Sequence, residues 1–299
     1  MSRIDYTHCP VCDHQHFKPF LAVPDHSVSK EVFELVECSN CGFVFTQNVP
    51  SEDTIGPYYQ SEAYISHSDS KKGVINRVYH RVRQYMLNRK WKLISGLTAH
   101  RTLLDIGCGT GYFPDYMQNK GFEVTGVEKD PDARKTCKDL FGLDVLDPDV
   151  FLDKGLGKKF GAITLWHVLE HLHQLNRYLE TMHKHLEDDG ILVIAVPNHD
   201  SLDAAHYKSD WAAYDVPLHL WHFTPSDIDN LAEKHGFNRI RLTGMPFDPF
   251  YNSLLSEQYK KNPLYLISGF IWGKMSFLKG WMNPKKASSV IYVLKKKRG

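Results

Sequence analysis

The feature that most constrains the fold is a glycine-rich turn in the middle of the chain. Residues 103–106 are a short run typical of a buried strand, and glycines follow at positions 107, 109 and 111. An amphipathic helical pattern then closes at Gly121, and a second strand pattern over 122–127 ends at Glu128. This order predicts a βαβ unit, and such units bind ligands at the carboxyl ends of their strands.

The turn departs from the pattern of a dinucleotide-binding fold. Tyr112 occupies the position of the third glycine, and the acidic Asp105 precedes the turn. A carboxylate at this place is unfavourable beside a pyrophosphate and favourable beside an amino group. The run LLDIGCGTG resembles motif I of the class I S-adenosylmethionine (SAM) methyltransferases.

This resemblance implies a set of SAM-binding residues. The motif acid and the glycines would hold the methionine part of SAM, and Glu128 would bind the ribose. The implied residues in and around the turn are Asp105, Gly107, Cys108, Gly109, Gly111 and Glu128. We also expect Cys108, and Cys137 on the next helix, to be packed thiols.

The resemblance continues downstream. Segments 160–171, 191–198 and 290–294 are similar to the fourth, fifth and seventh strands of the family. It covers about residues 100–245 and 288–296. The implied fold class is α/β: a doubly wound, Rossmann-like sheet of seven strands whose last strand is antiparallel.

Two further cofactor contacts follow from the resemblance. An acid after the third strand holds the adenine in this family, and Asp147 and Asp149 are both candidates, with the register favouring Asp149. Trp166 and His167 end the fourth strand, so they should lie close to the methyl-donor sulfonium.

Four of the six cysteines form two CxxC pairs near the N-terminus. Two such pairs can complete a tetrahedral Zn²⁺ site that leaves no coordination position open, which makes the metal structural. Strand patterns over 17–23, 33–37 and 43–45 make this segment look like a zinc ribbon; free or redox-active thiols are the alternative. The predicted ligands are Cys9, Cys12, Cys38 and Cys41.

Charge and hydropathy exclude several classes of protein. Lys and Arg number 36 against 35 Asp and Glu, so the net charge is +1. This balance argues against a disordered chain and against a protein dominated by nucleic-acid electrostatics. The sequence shows neither a secretory signal pattern nor the ~20 apolar residues of a spanning helix. We therefore expect a cytoplasmic protein.

The segment after the fourth strand carries candidate catalytic residues: His167, Glu170 and His171. His167 or His171 could act as a general base, because histidine titrates near neutral pH. The three residues could instead bind a divalent metal; some similar quinone-precursor O-methyltransferases have ExxEH here. In a third interpretation Glu170 and His171 stabilise the junction after the strand, and His167 lines the cofactor site.

Two insertions should lie beside the acceptor pocket. Residues 198–224 are rich in aromatic residues and histidine, and His219 and His222 are alternative base candidates. Residues 245–286 contain apolar residues at helical spacing. This second insertion could form an acceptor lid, a homodimer face, or a membrane-surface helix over 263–282.

The sequence thus predicts three parts: a zinc ribbon over 1–48, a helical connector and pocket cover over 49–98, and a methyltransferase domain over 99–299 with both insertions. Tyr59 and Tyr64 of the connector could contact cofactor or acceptor. The predicted function is SAM-dependent methylation of a small molecule such as a sugar, a quinone-like compound or a lipid precursor. The alternatives are an RNA or protein methyltransferase that uses the ribbon for binding, and a SAM-binding protein without activity.

Overall fold

The computed structural model of the chain describes residues 2–59 and 74–297, and it describes the side chains of the first long helix from His80 onward. The N-terminal strands are β1 (Arg3–Ile4), β2 (Phe17–Pro24), β3 (Val32–Cys38), β4 (Val44–Thr46) and β5 (Val49–Pro50). β2, β3 and β4 pair in antiparallel order, and β5 pairs with β1. The three strand patterns expected around the cysteine pairs are therefore confirmed.

A second, larger sheet is built from seven strands. These are β6 (Thr102–Ile106), β7 (Glu123–Val127), β8 (Val145–Leu146), β9 (Phe160–Trp166), β10 (Leu186–Pro197), β12 (Phe237–Gly244) and β13 (Ser289–Lys296). Their order across the sheet is β12-β13-β10-β9-β6-β7-β8, and β13 runs antiparallel to both of its neighbours. The expected doubly wound sheet of seven strands with an antiparallel last strand is confirmed.

Helices cover both faces of this sheet, so its central strands are buried along nearly their whole length. Burial on both faces explains why these strands are continuous apolar runs rather than alternating ones. The helices are α1 (Val74–Ser95), α2 (Tyr112–Gln118), α3 (Pro131–Phe141), α4 (Leu175–His185), α5 (Leu202–Tyr207), α6 (Pro225–Lys234), α7 (Asp248–Tyr259) and α8 (Tyr265–Met282).

Local sequence signals determine where several helices begin and end. Asp130 accepts a hydrogen bond from the backbone N–H of Asp132 at the start of α3, and Gly142 ends that helix in a left-handed conformation. Thr224 and Asp227 form a reciprocal capping box on α6. Such caps satisfy the backbone N–H groups that a helix end leaves unpaired.

The cysteine-bearing sheet is joined to the methyltransferase fold through the first insertion. Strand β11 (Trp221–His222) pairs with β4, which makes a four-stranded sheet β11-β4-β3-β2. Trp221 is buried among Phe43, Phe45 and Tyr6, with ring centroids 4.7–6.2 Å away. The division at residue 48 stays a prediction, but these aromatic contacts place both parts in one hydrophobic cluster.

Candidate functional site

The glycine-rich turn lies at the carboxyl ends of the parallel strands. Gly107 has φ +69, and a Cβ at this residue would lie 2.3 Å from Cγ2 of Val168, so the turn packs directly against the segment that follows β9. Gly109 also has a left-handed backbone, at φ +55, but a Cβ there would meet nothing within 4 Å. The turn is thus closed on one side by protein and open at Gly109, where a ligand can approach the backbone.

Asp105 is the second-last residue of β6, the strand that leads into this turn, and it is 2% exposed. It accepts a hydrogen bond of 2.6 Å from Oγ1 of Thr164 on the neighbouring strand β9. Burial raises the pKa of Asp105 to about 7, although this hydrogen bond and the charge of Lys90 oppose the shift. A bound ammonium group would stabilise the ionised carboxylate in this buried place.

Glu128 is positioned by the turn itself. Its two carboxylate oxygens accept hydrogen bonds from the backbone N–H groups of Gly109, at 2.8 Å, and Asp130, at 3.0 Å. A carboxylate has about four acceptor sites. Glu128 therefore keeps capacity for hydroxyl donors while it holds the turn in shape.

The remaining residues implied around the turn fall into two groups. Cys108 and Cys137 are buried, and Sγ of Cys137 donates to the carbonyl of Gly109 at 3.1 Å, so both are packed thiols as expected. Asp147 is paired with Arg134 at 3.0 Å, whereas Asp149 is exposed. This difference leaves Asp149 freer to accept a hydrogen bond from a ligand.

Trp166 and His167 lie at the carboxyl end of β9, where the sequence predicts them. His167 has a left-handed backbone with φ +57. Its Nδ1 lies 3.4 Å from Oε1 of Glu170, and its Nε2 lies 3.1 Å from Oδ2 of Asp248, the first residue of α7. Burial alone would lower the pKa of His167, but these two carboxylates raise it to about 10.

The imidazole of His167 is therefore protonated at neutral pH, and both of its nitrogens face carboxylates. A proton acceptor or a metal ligand needs a free lone pair, which this histidine lacks. The geometry favours a positioning role for His167 between α7 and the segment after β9.

Glu170, His171 and His219 form a second group of side chains, here called the EHH cluster. One oxygen of Glu170 and one ring nitrogen from each histidine lie within 4.8 Å of one another. Glu170 is fully buried; its Oε1 faces Nδ1 of the protonated His167 at 3.4 Å, and its Oε2 accepts no hydrogen bond within the described parts of the chain. A buried carboxylate oxygen without a partner is costly, so Oε2 favours one further donor or a cation in this cluster.

Backbone carbonyls determine which ring nitrogens of the two histidines are free. Nδ1 of His171 lies 3.1 Å from the carbonyl of Leu218, and Nδ1 of His219 lies 2.8 Å from that of Ala213. A carbonyl only accepts, so each Nδ1 carries a proton, and Nε2 is the nitrogen that can bear a lone pair; Nε2 of His219 also lies 4.0 Å from Oδ2 of Asp215. Burial and the neighbouring His219 lower the pKa of His171 to about 3, which keeps this ring neutral.

His222, the other base candidate of the first insertion, is enclosed between the two sheets. It is 4% exposed, and its Nε2 lies 2.9 Å from Oγ1 of Thr46. Burial lowers the pKa of His222 well below its ordinary value. Its surroundings favour a structural role at the junction.

The four cysteines of the CxxC pairs converge at the edge of the N-terminal sheet. Their sulfur atoms lie within 4.8 Å of one another, with Sγ–Sγ distances of 3.6 Å for Cys9–Cys41 and 3.5 Å for Cys12–Cys38. A disulfide would need about 2.05 Å. Four thiolates around one Zn²⁺ at about 2.3 Å would lie about 3.8 Å apart, so the cluster has nearly the size of a zinc site.

The two cysteine pairs have the same backbone turn. The residue after the second cysteine of each pair, Asp13 or Gly42, has a positive φ and donates its N–H to the carbonyl of the first cysteine. The N–H of that first cysteine is also bonded in both pairs, to the carbonyl of the residue that follows Asp13 or Gly42. Two equivalent turns thus present the four sulfurs to one point.

Sequence reasoning missed two charged residues of the site. Lys90 of α1 has its Nζ 4.1 Å from the Trp166 ring centroid and interacts electrostatically with Asp105 and Asp248. Asp248 is the partner of His167 from the second insertion. The basic pattern of α1 was a signal for Lys90, but no local pattern marks Asp248.

The connector supplied two tyrosine candidates for contact with cofactor or acceptor. The ring centroid of Tyr59 lies 6.2 Å from that of His171, and Tyr64 lies outside the described residues.

Comparison with known proteins agrees with this geometry. The family described as a methyltransferase domain matches residues 79–242, which is more than half of the chain. A ubiquinone biosynthesis O-methyltransferase from Pelagibacter ubique (strain HTCC1062) is 28% identical over 166 residues, covering 50% of this chain and 67% of that protein. The mitochondrial enzyme of the same name from Bos taurus is 26% identical, covering 50% of this chain and 44% of its own length.

A solved structure from Galdieria sulphuraria, provisionally assigned as a sarcosine dimethylglycine methyltransferase, shares the fold. Its TM-score is 0.50 at 15% identity, and the match covers 81% of this chain and 91% of that one. The chain belongs to the methyltransferase domain family, and its sheet is that of the class I SAM-dependent methyltransferases. Among the residues that the structure describes, no helix has the length and apolar character needed to cross a bilayer.

Proposed function

We propose that this chain transfers a methyl group from SAM to a hydroxyl group of a small-molecule acceptor. The observation that carries the proposal is the turn at 105–111, where a buried acid, an open backbone at Gly109 and Glu128 come together at the edge of the sheet. The names of the two O-methyltransferase relatives support a hydroxyl acceptor.

Each part of SAM has a complementary group in this proposal. Asp105 faces the methionyl ammonium, Lys90 the methionyl carboxylate, and Glu128 the ribose hydroxyls. Asp149 accepts from the adenine amino group, and Trp166 borders the sulfonium. SAM already carries an activated methyl group, so the protein mainly has to align the acceptor with it.

Calorimetric titration with SAM and with its demethylated product tests the cofactor. We expect binding of both, weakened by Lys90→Met and by Glu128→Ala, whereas Lys138→Met, on the exposed side of α3, should bind as the wild type does. Absence of binding by the wild-type chain would refute the proposal.

A second experiment identifies the acceptor. Methyl transfer from labelled SAM is measured with sugars, quinone precursors, lipids, RNA and proteins. Binding of SAM without transfer to any of them would support the non-catalytic alternative.

We further infer that the EHH cluster holds a divalent cation beside the acceptor. One atom from each of three side chains converges there: a nitrogen of each histidine, both with Nδ1 held by a backbone carbonyl, and an oxygen of Glu170, whose Oε2 accepts no hydrogen bond among the described residues. Histidines that bind metals commonly donate their other N–H to such carbonyls. A bound cation would polarise the acceptor hydroxyl and lower its pKa.

Metal binding itself tests this site, independently of turnover. We expect chelator-treated protein to take up one Mn²⁺, followed by electron paramagnetic resonance, and to lose this uptake in His219→Ala. His100→Ala is the matched control and should keep it, because His100 precedes β6, pairs with Asp189 and contacts no member of the cluster. Full turnover in chelator-treated protein, together with no Mn²⁺ uptake, would contradict the cation.

We also propose Zn²⁺ at Cys9, Cys12, Cys38 and Cys41. The close spacing of the four sulfurs and the two equivalent turns support it. Because all four ligands come from the protein, the metal would stabilise the sheet and leave no position for a substrate.

A further inference from the structure

Helix α8 exposes its most apolar face. Nine large apolar side chains from its N-cap to its C-terminal end are between 42% and 74% exposed. They are Leu264, Leu266, Ile267, Phe270, Ile271, Met275, Leu278, Trp281 and Met282. Monomeric proteins rarely expose contiguous apolar surface of this extent unless it meets a partner or a membrane.

The reverse face of the helix explains this orientation. Its buried residues are small: Gly269, Gly273, Ser276 and Gly280. A Cβ at Gly269 would lie 2.8 Å from Cα of Leu254, so α7 packs against the backbone of α8. The small face is therefore covered by α7, by Asp203 at Ser276 and by Ala287 at Gly280, and the large side chains are left pointing away from the protein.

Basic residues surround the apolar face, and acidic residues are missing from this part of the sequence. From residue 258 to residue 299 the chain has no Asp or Glu. Six lysines lie on α8 or close to its ends: Lys260, Lys261, Lys274, Lys279, Lys285 and Lys286. Lys286 is paired with Asp200 at 2.5 Å. Lys274 lies within the apolar face, and its long aliphatic stem lets the ammonium reach a polar boundary.

We propose that α8 docks this protein on an anionic lipid surface, with the helix axis parallel to the bilayer. An apolar face with a lysine border is the composition of helices that lie in the membrane interface. The 18 residues of α8 make a helix about 27 Å long, which presents the whole row of apolar side chains to one plane.

Charge distinguishes a lipid surface from a second copy of the chain. In a twofold dimer the same surface patch meets itself. The lysines of one α8 would then face those of the other, and residues 258–299 supply no carboxylate to pair with them; Asp200, from the first insertion, is already paired with Lys286. Phosphate headgroups supply the missing negative charge, at about 1 kcal/mol for each basic residue near the surface.

The proposed docking face continues toward the candidate active site. Phe247 and Tyr251, on either side of the start of α7, are exposed, and Phe247 contacts Tyr85 of α1 with ring centroids 5.8 Å apart. Asp248, between them, is the partner of His167. A molecule that leaves the lipid surface along α7 would thus reach the part of the protein that carries His167 and Asp248.

Vesicle co-sedimentation with the full chain tests the proposal without any measurement of activity. We expect binding to vesicles of phosphatidylcholine mixed with phosphatidylglycerol, and weaker binding both to phosphatidylcholine alone and at high salt. Replacing two half-exposed isoleucines, in the double variant Ile267→Ser/Ile271→Ser, should lower the partition coefficient about 100-fold. Lys274→Gln/Lys279→Gln should lower it about 10-fold or more.

Ile240→Ser is the matched control, because Ile240 is 47% exposed on β12, away from α8. It should bind vesicles as the wild type does, and all variants should keep the wild-type melting temperature. Equal binding by wild type and the double isoleucine variant would overturn the proposal. So would a lipid-free dimer in analytical ultracentrifugation that this variant dissociates, since a second copy would then occupy the face.

Discussion

Replacing Gly109 with alanine, compared with the same change at Gly121, tests whether the glycine-rich turn binds SAM. The comparison separates an effect on SAM affinity from the loss of unfolding free energy that a left-handed backbone causes. Gly109 has φ +55, and Gly121, after α2, has φ +83. A Cβ at either residue would meet nothing within 4 Å. Both substitutions should therefore cost only the left-handed backbone penalty, about 1–2 kcal/mol of unfolding free energy.

The two variants should differ in SAM affinity. At Gly109 the added methyl group enters the space that the proposed ligand occupies, and overpacking of this kind costs about 1–3 kcal/mol. We expect the dissociation constant for SAM to rise about 5- to 150-fold in Gly109→Ala. In Gly121→Ala it should stay within about twofold, because that residue lies outside the turn.

Gly107→Ala shows how much stability is lost when the added methyl group also meets a steric clash, and it is compared with Gly109→Ala and Gly121→Ala. Its Cβ would lie 2.3 Å from Cγ2 of Val168, so overpacking adds to the backbone penalty and the loss of stability should be about 2–5 kcal/mol. Urea unfolding measures the stabilities, and calorimetric titration measures SAM binding. Equal SAM affinity in the Gly109 and Gly121 variants would refute the placement of SAM over this turn.

Three further predictions concern the metal, the pH dependence and the junction. Cys38→Ser should lose the zinc and destabilise the N-terminal sheet, whereas Cys137→Ser, a packed thiol elsewhere, should retain about one zinc per chain by elemental analysis. The pKa of Asp105 is raised to about 7, so the carboxylate disappears as the pH falls through that value. SAM affinity should therefore fall up to about tenfold for each pH unit below 7, and calorimetry on Asp105→Asn should give a flat profile at weaker affinity. Trp221→Ala should lower the unfolding free energy by about 3–5 kcal/mol in urea titration, because Trp221 is buried and donates to the carbonyl of Leu172 at 2.8 Å; a loss below 1 kcal/mol would contradict its role at the junction.

Sequence reasoning succeeded where the signal is contained in a short stretch of chain. The turn from Asp105 to Glu128 carries its strand, glycines, helix and acid within 24 positions, and the observed elements β6, α2 and β7 match that pattern. The cysteine pairs could also be predicted from the sequence, because each pair forms its own backbone turn. Only the approach of the two turns to each other depends on the sheet.

The sequence predicted only part of the candidate site, because several of its charged side chains come from elements that are far apart in the chain. Asp248 is 81 positions from His167 and decides its protonation, yet nothing beside Asp248 in the sequence marks it. His219 appeared as one histidine among several in the first insertion, and the fold alone brings it to Glu170 and His171.

The sequence by itself therefore determined the class of fold, the glycine-rich turn and the paired cysteines, because periodicity, turn glycines and cysteine spacing are local properties. The tertiary structure decided which histidine is enclosed by carboxylates and which ones converge on Glu170. It also decided that β11 joins the two sheets and that the apolar face of α8 points outward. Those outcomes depend on contacts between segments that are far apart in the chain. The small residues of α8, the buried charges around His167 and the edge of β4 each contact a distant segment that no local sequence pattern specifies.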